Sequence, residues 1–212
     1  MKRAVIFSNG DLADVSRVKK MLKKTDFIIA ANGGTRQVLK LGRLPDVVIG
    51  DLDSLDKKTK KKLERDKVAI ISYPSDKDWT DTELGIKYAV KQGFKEIILT
   101  GFLGRRIDHL LANLLIMAGL IDKLDRLMIV EGKQEIYVIK NRLEIKGKRG
   151  DLVSLIPLLG DCQGVRTTGL KYKLRNERLS WGKSRGVSNV MLGRKARIDL
   201  KKGRLLVIKS LI

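Results

Sequence analysis

Residues 47–54 read VVIGDLDS. The first four residues are a brief run of Val and Ile that ends on a turn residue, which is typical of a strand buried on both faces of a sheet. Two aspartates follow, so acidic side chains lie where the predicted strand ends. In open parallel sheets, ligands bind at the carboxyl ends of the strands. This segment therefore predicts a buried parallel sheet, and it predicts that the functional site lies at the carboxyl ends of its strands.

The same pattern recurs on both sides of this segment, up to about residue 130. Short apolar runs alternate with stretches of helical periodicity, which indicates an α/β fold: a mostly parallel sheet with helices on both faces. The predicted strands are residues 4–8, 27–31, 47–50, 68–72, 96–100 and 126–130, and the predicted helices are residues 14–24, 34–41, 55–66, 81–92 and 107–120.

After residue 130 the helical periodicity disappears. Short segments separated by Gly, Asp or Lys-Gly turns indicate a small antiparallel sandwich or barrel. These segments are residues 135–139, 152–156, 164–168, 196–200 and 204–209. We therefore expect two domains, an α/β domain over residues 1–133 and an all-β sandwich domain over residues 134–212.

Composition narrows the class of protein. The 212 residues include 45 Lys and Arg against 24 Asp and Glu, a net charge of +21, but 43% are hydrophobic, which excludes a disordered polycation. One cysteine, Cys162, and one histidine, His109, exclude a disulfide framework and zinc sites built on several Cys or His ligands. Because neither a signal peptide nor a membrane span is recognisable, we expect a cytoplasmic protein.

Acidic residues collect at two predicted strand ends. Neighbouring strands of a parallel sheet end at one edge, so these carboxylates would repel each other unless a cation neutralised them. Mg²⁺ is the favoured cation, because it takes oxygen ligands from one or two carboxylates together with substrate phosphate. Any one acid alone is equally well explained as a turn or cap residue. The acids are Asp46, Asp51, Asp53, Asp76, Asp78, Asp81 and Glu83.

A glycine-containing loop, residues 101–109, is the second candidate site and reads GFLGRRIDH. Glycines let backbone N–H groups approach an anion, and arginine bridges phosphate oxygens with two hydrogen bonds. The loop therefore suits a nucleotide polyphosphate, although glycines also serve tight turns, and His109 is equally a general base or a helix-start residue. Since the chain has neither a Gly-x-Gly-x-x-Gly fingerprint after its first strand nor a Walker A motif, a dinucleotide site and a P-loop kinase are excluded.

Taken together and in this order, the motifs resemble the thiamine pyrophosphokinase (thiamine diphosphokinase) family. The resemblance covers both halves of the chain, and it is the combination of motifs that is specific. The matching stretches are ANGG at residues 31–34, PDVVIGDLDS at 45–54, DKDWTDTE at 76–83, GFLGRRIDHLLAN at 101–113 and GVSN at 186–189.

The resemblance implies an enzyme that transfers the pyrophosphoryl group of ATP to the hydroxyl of thiamine, giving thiamine diphosphate and AMP. It also implies Mg²⁺, a homodimer, and thiamine bound near the subunit interface with the help of the β-sandwich. By position, the metal-binding and catalytic acids would be Asp51, Asp53 and Asp81, with Asp108 as a further catalytic acid. The remaining substrate contacts would be Asn32, Gly33, Arg106 and His109 toward the nucleotide and Ser188 and Asn189 toward thiamine.

Two positions depart from the family pattern, and two other functions stay open. Asn32 stands where the family usually has Asp, which keeps a carbonyl oxygen but removes a charge, and Arg105 stands where a second glycine is common. One alternative is another magnesium-dependent (di)phosphotransferase with a different alcohol acceptor. The other is a basic nucleic-acid-binding protein, which the net charge invites but the 5% aromatic content does not favour.

Overall fold

Residues 2–102 and 107–212 are described by the computed structural model of the chain. The polypeptide forms two units. The first comprises Met1–Ile116 and Lys123–Gly132, and the second comprises Met117–Asp122 and Lys133–Ile212.

The first unit is an α/β structure in which strands and helices alternate along the chain. The strands are β1 (Arg3–Phe7), β2 (Phe27–Ala31), β3 (Val47–Gly50), β4 (Ala69–Ser72), β5 (Glu96–Thr100) and β6 (Arg126–Glu131). The helices are α1 (Val15–Met21), α2 (Gly34–Lys40), α3 (Lys57–Arg65), α4 (Asp81–Lys91) and α5 (Ile107–Leu120). The predicted α/β class is confirmed.

The strands of this unit pair in parallel in the order β4-β3-β2-β1-β5-β6. Residues 4–7 of β1 and residues 28–30 of β2 are fully buried, because helices packed against the sheet leave no solvated side. This burial explains why the strands are continuous apolar runs rather than alternating ones. Helix α1 ends at Met21, three residues before the predicted end.

The strand order changes direction between β1 and β5. From β1 the chain adds β2, β3 and β4 to one side of the sheet, then crosses to β5 and β6 on the other side. The two central strands stay joined beyond their ends, where Ser8 N–H donates to Thr100 O at 2.9 Å and Gly10 N–H donates to Gly101 O at 2.8 Å. In doubly wound sheets the crevice outside such a switch point is where ligands bind.

The second unit is β-rich and antiparallel, as predicted. Its strands are β7 (Gln134–Ile139), β8 (Arg142–Lys146), β9 (Leu152–Thr168), β10 (Arg175–Leu179), β11 (Asn189–Val190), β12 (Lys195–Asp199) and β13 (Lys202–Ser210). Strand β9 takes part in two sheets: β13 and β11 pair with its first half, and β12 and β10 pair with its second half.

Sequence patterns were least accurate in this unit. The segments 152–156 and 164–168 were predicted as separate strands, but they are the two ends of the 17-residue β9, which bends at Leu159 and Gly160 through positive φ angles of 58° and 115°. Strands β8, β10 and β11 were not predicted, because the first two consist largely of charged residues and the third is only two residues long.

No helix in the described part of the chain has the length and hydropathy needed to cross a membrane.

A buried ion pair fixes the start of the parallel sheet. Arg3 at the beginning of β1 donates from Nε and Nη2 to the two carboxylate oxygens of Asp26, at 2.8 and 2.5 Å. The second Asp26 oxygen also accepts from Lys23 N–H at 2.7 Å, and Arg3 Nη2 donates to Met21 O at 2.9 Å. Both charged residues are less than 10% exposed. Arg3 and Asp26 thus connect β1 to the turn between α1 and β2.

We expect Asp26→Asn to lower the free energy of unfolding by about 3 kcal/mol, because it leaves the Arg3 guanidinium buried without its counter-charge. The measurement is urea denaturation followed by circular dichroism. The matched control is Asp66→Asn, which breaks the exposed pair between Arg65 and Asp66 and should leave the urea midpoint unchanged. Equal effects of the two substitutions would contradict this assignment of the buried pair.

Candidate active site

A cavity of about 320 Å³ lies at the switch point of the parallel sheet. The turns after β1 and β5 form its floor, the turn after β2 and the start of α4 form one wall, and α5 contributes the other. The cavity thus occupies the crevice that the strand order predicts. Its lining residues are Ser8, Asn9, Gly10, Ala31, Asn32, Thr80, Asp81, Thr82, Gly101, Phe102, His109 and Asn113.

Two close backbone approaches shape this cavity. Gly101 has a φ of +68°, and a Cβ atom there would lie 2.8 Å from Ser8 O, so the turn after β5 can pack against the turn after β1 only as glycine. Gly33 precedes α2, and a Cβ atom there would lie 2.0 Å from Asn9 Oδ1. The predicted substrate contact Gly33 therefore lies against Asn9 beside the cavity, while its neighbour Asn32 reaches the cavity wall.

Asn32 joins two of the predicted acids. Its amide Nδ2 donates to Asp51 Oδ1 at 2.7 Å and to Asp53 Oδ1 at 2.8 Å. Its backbone adopts a φ of +44°, and its N–H donates to Ile49 O at 2.8 Å, which places the amide over the end of β3. Because an Asp at this position would have no N–H to donate, the departure from the family pattern creates a contact that a carboxylate would not make.

Asp81 reaches the same cluster because of Gly50. The φ of Gly50 is +147°, and a Cβ atom there would lie 2.9 Å from Asn32 Cβ and 3.0 Å from both Cγ and Oδ1 of Asp81. Any side chain at this position would push the start of α4 away from the end of β3. The structure thus brings Asp51, Asp53 and Asp81 together, as the sequence predicted.

Lys77 supplies the positive charge within this cluster. Its Nζ lies 3.1 Å from Asp81 Oδ1 and 3.7 Å from Asp51 Oδ2, and it donates to Pro74 O at 3.2 Å. The Lys77 side chain is only 11% exposed. Sequence reasoning missed this residue, although a lysine within a stretch rich in acids was an available signal.

The electrostatics of the cluster keep Asp53 ionised. The Asn32 amide N–H is the largest cause of a pKa for Asp53 below its usual value, and hydrogen bonds from Ser54 add to the shift. A hydrogen bond to the charged form of a carboxyl group stabilises that form. Asp53 is exposed to solvent, so the bond acts on its protonation more than on the stability of the fold.

Two oxygen atoms of the cluster are buried without a hydrogen bond. They are Asn32 Oδ1 and Asp81 Oδ1, the second of which has the Lys77 ammonium nearby. The two carboxylate acceptors of Asn32 Nδ2 fix the orientation of the amide, so its oxygen points away from them. A buried amide oxygen without a donor, beside carboxylate oxygens, is a set of ligands that suits a hard cation.

The described residues contain no group of three or more His, Cys, Asp or Glu side chains already arranged as a metal site. The Asn32 amide lies between Asp51 and Asp53, and the Lys77 ammonium lies between Asp51 and Asp81. These two nitrogen groups currently occupy the space between the carboxylates. The carboxylate and amide oxygens of the cluster are donor types that fit a magnesium ion.

The start of α4 holds Asp81 in place. Thr80 caps the helix by accepting a hydrogen bond from Glu83 N–H at its hydroxyl, at 3.2 Å. The Glu83 carboxylate pairs with Lys87 at 2.8 Å, one turn further along the helix. Thr82, which directly follows Asp81, forms a buried hydrogen bond between its Oγ1 and Ser8 Oγ at 2.9 Å. This bond connects the helix to the end of β1.

The predicted residues of the loop after β5 differ in their position relative to the cavity. His109 lines the cavity, whereas Asp108 is exposed and outside the lining set. Arg106, together with Arg105, lies outside the described residues. The structure adds Asn113, which lines the cavity from α5 with a buried, unpartnered Oδ1. Its helical spacing of four residues from His109 was the available signal.

Ser188 and Asn189 lie in the second unit, where they have different environments. The Asn189 side chain is buried and fully engaged: Oδ1 accepts from Tyr172 N–H at 3.0 Å and Val190 N–H at 2.9 Å, and Nδ2 donates to Tyr172 O at 2.7 Å. Ser188 is exposed, has a φ of +61°, and donates its backbone N–H to Ser154 Oγ at 3.1 Å. Asn189 thus holds the turn that presents Ser188.

Comparison with protein families assigns both parts of the chain. Residues 18–129 match the thiamin pyrophosphokinase catalytic domain, and residues 137–205 match the thiamin pyrophosphokinase vitamin B1 binding domain. The chain is 26% identical over 184 residues to the thiamine pyrophosphokinase of Bacillus subtilis, covering 86% of each protein. It is 24% identical over 201 residues to thiamin pyrophosphokinase 1 of Caenorhabditis elegans, covering 87% of this chain and 79% of that protein.

Solved structures of similar fold agree with the α/β and β-rich architecture. The crystal structure of thiamine pyrophosphokinase from Bacillus subtilis superposes with a TM-score of 0.89 at 24% identity, over 99% of each chain. Thiamin pyrophosphokinase from Candida albicans gives 0.81 at 15% identity, over 99% of this chain and 90% of that one. Identities this low bear on the fold alone. The catalytic-domain match, however, covers more than half of the sequence, and the chain is a member of the thiamin pyrophosphokinase family.

Proposed function

We propose that the chain transfers the pyrophosphoryl group of ATP to the hydroxyl of thiamine, releasing thiamine diphosphate and AMP. The observation that carries this proposal is the cluster of Asp51, Asp53 and Asp81, which lies beside a cavity at the switch point of the sheet together with the buried, unpartnered Asn32 Oδ1. Membership of the thiamin pyrophosphokinase family supports the choice of substrates.

The two units have separate roles in this proposal. Residues 1–133 bind ATP and magnesium, and residues 134–212 bind thiamine and form a homodimer. The match of residues 137–205 to a vitamin B1 binding domain supports the second assignment. In that unit Ser188 is the contact to thiamine, and Asn189 is a positioning residue because its side chain is already used by the Tyr172 backbone. The enzyme is proposed to work in the cytoplasm.

The three acids are the proposed magnesium ligands. Asp51, Asp53 and Asp81 contribute carboxylate oxygens, and Asn32 Oδ1 is buried at the same place. When bound, the cation supplies charge neutralisation for the phosphates of ATP. In the metal-free protein, Lys77 performs the neutralisation of the acids, because its ammonium lies between two of them.

The remaining residues act by binding and orientation. The turn containing Gly101 brings backbone groups to the cavity floor, and His109 and Asn113 offer polar side chains from α5 toward the nucleotide. Arg106, by its place in the sequence, is the proposed partner of the phosphates. Such positioning accounts for most of the acceleration in phosphoryl transfer.

The transfer step forms one bond, breaks one bond and moves one proton. The thiamine hydroxyl oxygen bonds to the β-phosphorus, the bond from that phosphorus to the α–β bridging oxygen breaks, and AMP leaves with the electron pair. Asp81 accepts the hydroxyl proton, because it lines the cavity whereas Asp108 does not.

The product test separates this reaction from its alternatives. Incubation of the protein with ATP, Mg²⁺ and thiamine, followed by chromatographic separation, should give thiamine diphosphate and AMP in equal amounts. Formation of ADP would instead indicate transfer of a single phosphoryl group. A folded protein that produces neither nucleotide would overturn the proposed function.

Removing one acid tests the metal assignment. We expect Asp53→Ala to lower kcat/KM for thiamine by on the order of 10²–10³-fold, because the cation that neutralises the phosphates loses a ligand. The matched control is Asp125→Asn, an exposed acid just before β6, at the opposite end of the strands, which should keep kcat/KM within about twofold. Magnesium-dependent turnover at the normal rate in folded Asp53→Ala would refute the metal assignment.

Removing the internal cation tests the role of Lys77. In EDTA, Lys77→Met should lower the melting temperature by roughly 6 °C, about 2 kcal/mol, because the clustered carboxylates then repel each other without compensation. Adding MgCl₂ should raise the melting temperature of this variant more than that of the unaltered chain. Lys77→Arg keeps the charge and should restore most of the loss. The idea fails if magnesium stabilises all three proteins equally.

A further inference from the structure

One sheet of the second unit carries a row of cations that the proposed reaction does not use. Strands β8, β12, β9 and β10 lie side by side in it. The inward positions, such as Ile145, Ala196 and Ile198, are buried. The outward positions form what we call the basic face, defined by Arg142, Lys146, Arg166, Arg175, Lys195 and Arg197.

The strand register aligns these cations in rows across the sheet. One row crosses all four strands, because Arg142 of β8 pairs with Asp199 of β12, which also pairs with Arg166 of β9. Arg166 in turn pairs with Arg175 of β10. In the same way Lys146 lies opposite Lys195. Like charges at directly opposed positions destabilise a sheet. The basic face has six cations against two carboxylates, Glu144 and Asp199, so it carries a surplus of positive charge.

Asp199 organises part of the basic face without neutralising it. Arg142 and Arg197 each donate from Nε to one Asp199 oxygen, both at 2.7 Å. The Nη groups of these two arginines form no hydrogen bond within the described residues, so their outer N–H donors stay available. Arg166 and Arg175 form no ion pair within the described part of the chain. Arginine N–H groups held in this way match the oxygens of phosphate in a bidentate geometry.

The basic face also has a depression, with a volume of about 690 Å³. Besides Arg142, Arg166 and Arg197 it is lined by Lys201 and by the polar side chains of Asn141 and Asn176. Asp199 is the acidic member of the lining and is already bonded to two arginines. The depression therefore offers several donors to an anion.

Four kinds of occupant can be compared on these contacts: a second copy of the chain, a membrane, a single-stranded nucleic acid and a double-stranded one. A second copy of the chain would place the basic face against itself and bring like charges together. The outward positions of these strands hold charged residues together with the polar Thr168 and Asn176. The face therefore presents neither a membrane-inserting apolar side chain nor an aromatic platform for unstacked bases. A double-stranded nucleic acid requires only cations for its phosphates.

The width of the face agrees with this occupant. Four adjacent strands span about 14 Å, which is comparable to the roughly 12 Å major groove of a duplex. Cations at the two edges can therefore contact phosphates of both strands of the duplex. We propose that the basic face binds the phosphate backbone of double-stranded nucleic acid without sequence preference, an activity separate from the transfer reaction.

The test is fluorescence anisotropy of a labelled 20-base-pair duplex of random sequence, titrated with the protein without ATP or thiamine. With a surplus of about four charges in contact, affinity should fall about 100-fold between 50 and 200 mM NaCl. The double variant Arg166→Gln/Arg175→Gln should weaken binding at least 10-fold at 50 mM NaCl and reduce the salt dependence by about half. These arginines form no ion pair with any described residue, so unaltered melting and unaltered thiamine diphosphate formation confirm folding.

The matched control is Lys61→Gln/Lys62→Gln, which removes two exposed charges from α3 of the first unit. It should bind the duplex within about twofold of the unaltered chain. Equal weakening by both double variants would show that net charge alone is responsible and would overturn the proposal. So would absence of duplex binding at 50 mM NaCl, or binding restricted to vesicles containing anionic lipid.

Discussion

The mutual repulsion of carboxylates at one sheet edge is the constraint on which the site depends. Asp51, Asp53 and Asp81 come from two different segments, and without compensation they would drive the end of β3 and the start of α4 apart. The Lys77 ammonium and the Asn32 amide offset that repulsion. Gly50 has no side chain and so leaves room for Asn32 and Asp81 to approach the end of β3. In the proposed function, a magnesium ion would take over this compensation from Lys77.

The position of the cluster follows from strand order. The chain adds β2 to β4 on one side of β1 and then β5 on the other, and the cavity lies at this change of direction, beside the hydrogen-bonded turns after β1 and β5. Asp51 and Asp53 follow β3, which lies two strands from β1. Asp81 is the first residue of α4 and lies in the cavity wall. In the proposed function, the phosphates of ATP would bind at this edge of the sheet.

Charge is distributed unequally between the reacting edge and the surface. Three acids of the first unit, Asp51, Asp53 and Asp81, lie together at one edge of the sheet, whereas the second unit combines 19 Lys and Arg with 6 Asp and Glu over residues 134–212. A net charge of +21 therefore does not describe the site, which is locally acidic. It describes surfaces such as the basic face, where cations act over distances of about a Debye length.

The sequence by itself determined the α/β and β-rich organisation, the strands of the parallel sheet to within a residue or two, and the acids of the site, because burial imposes apolar runs and turns impose Gly and Asp. It also carried the family resemblance that the comparisons confirmed. The sequence pattern did not predict β8 and β10, because their few apolar residues stand between charged ones, and it divided β9 into two strands. Only the tertiary structure decided that Lys77 lies between Asp51 and Asp81, that Asn32 bridges Asp51 and Asp53, and that Asn189 is a structural residue. These contacts join residues from separate segments, and their partners are set by packing, which a linear pattern does not contain.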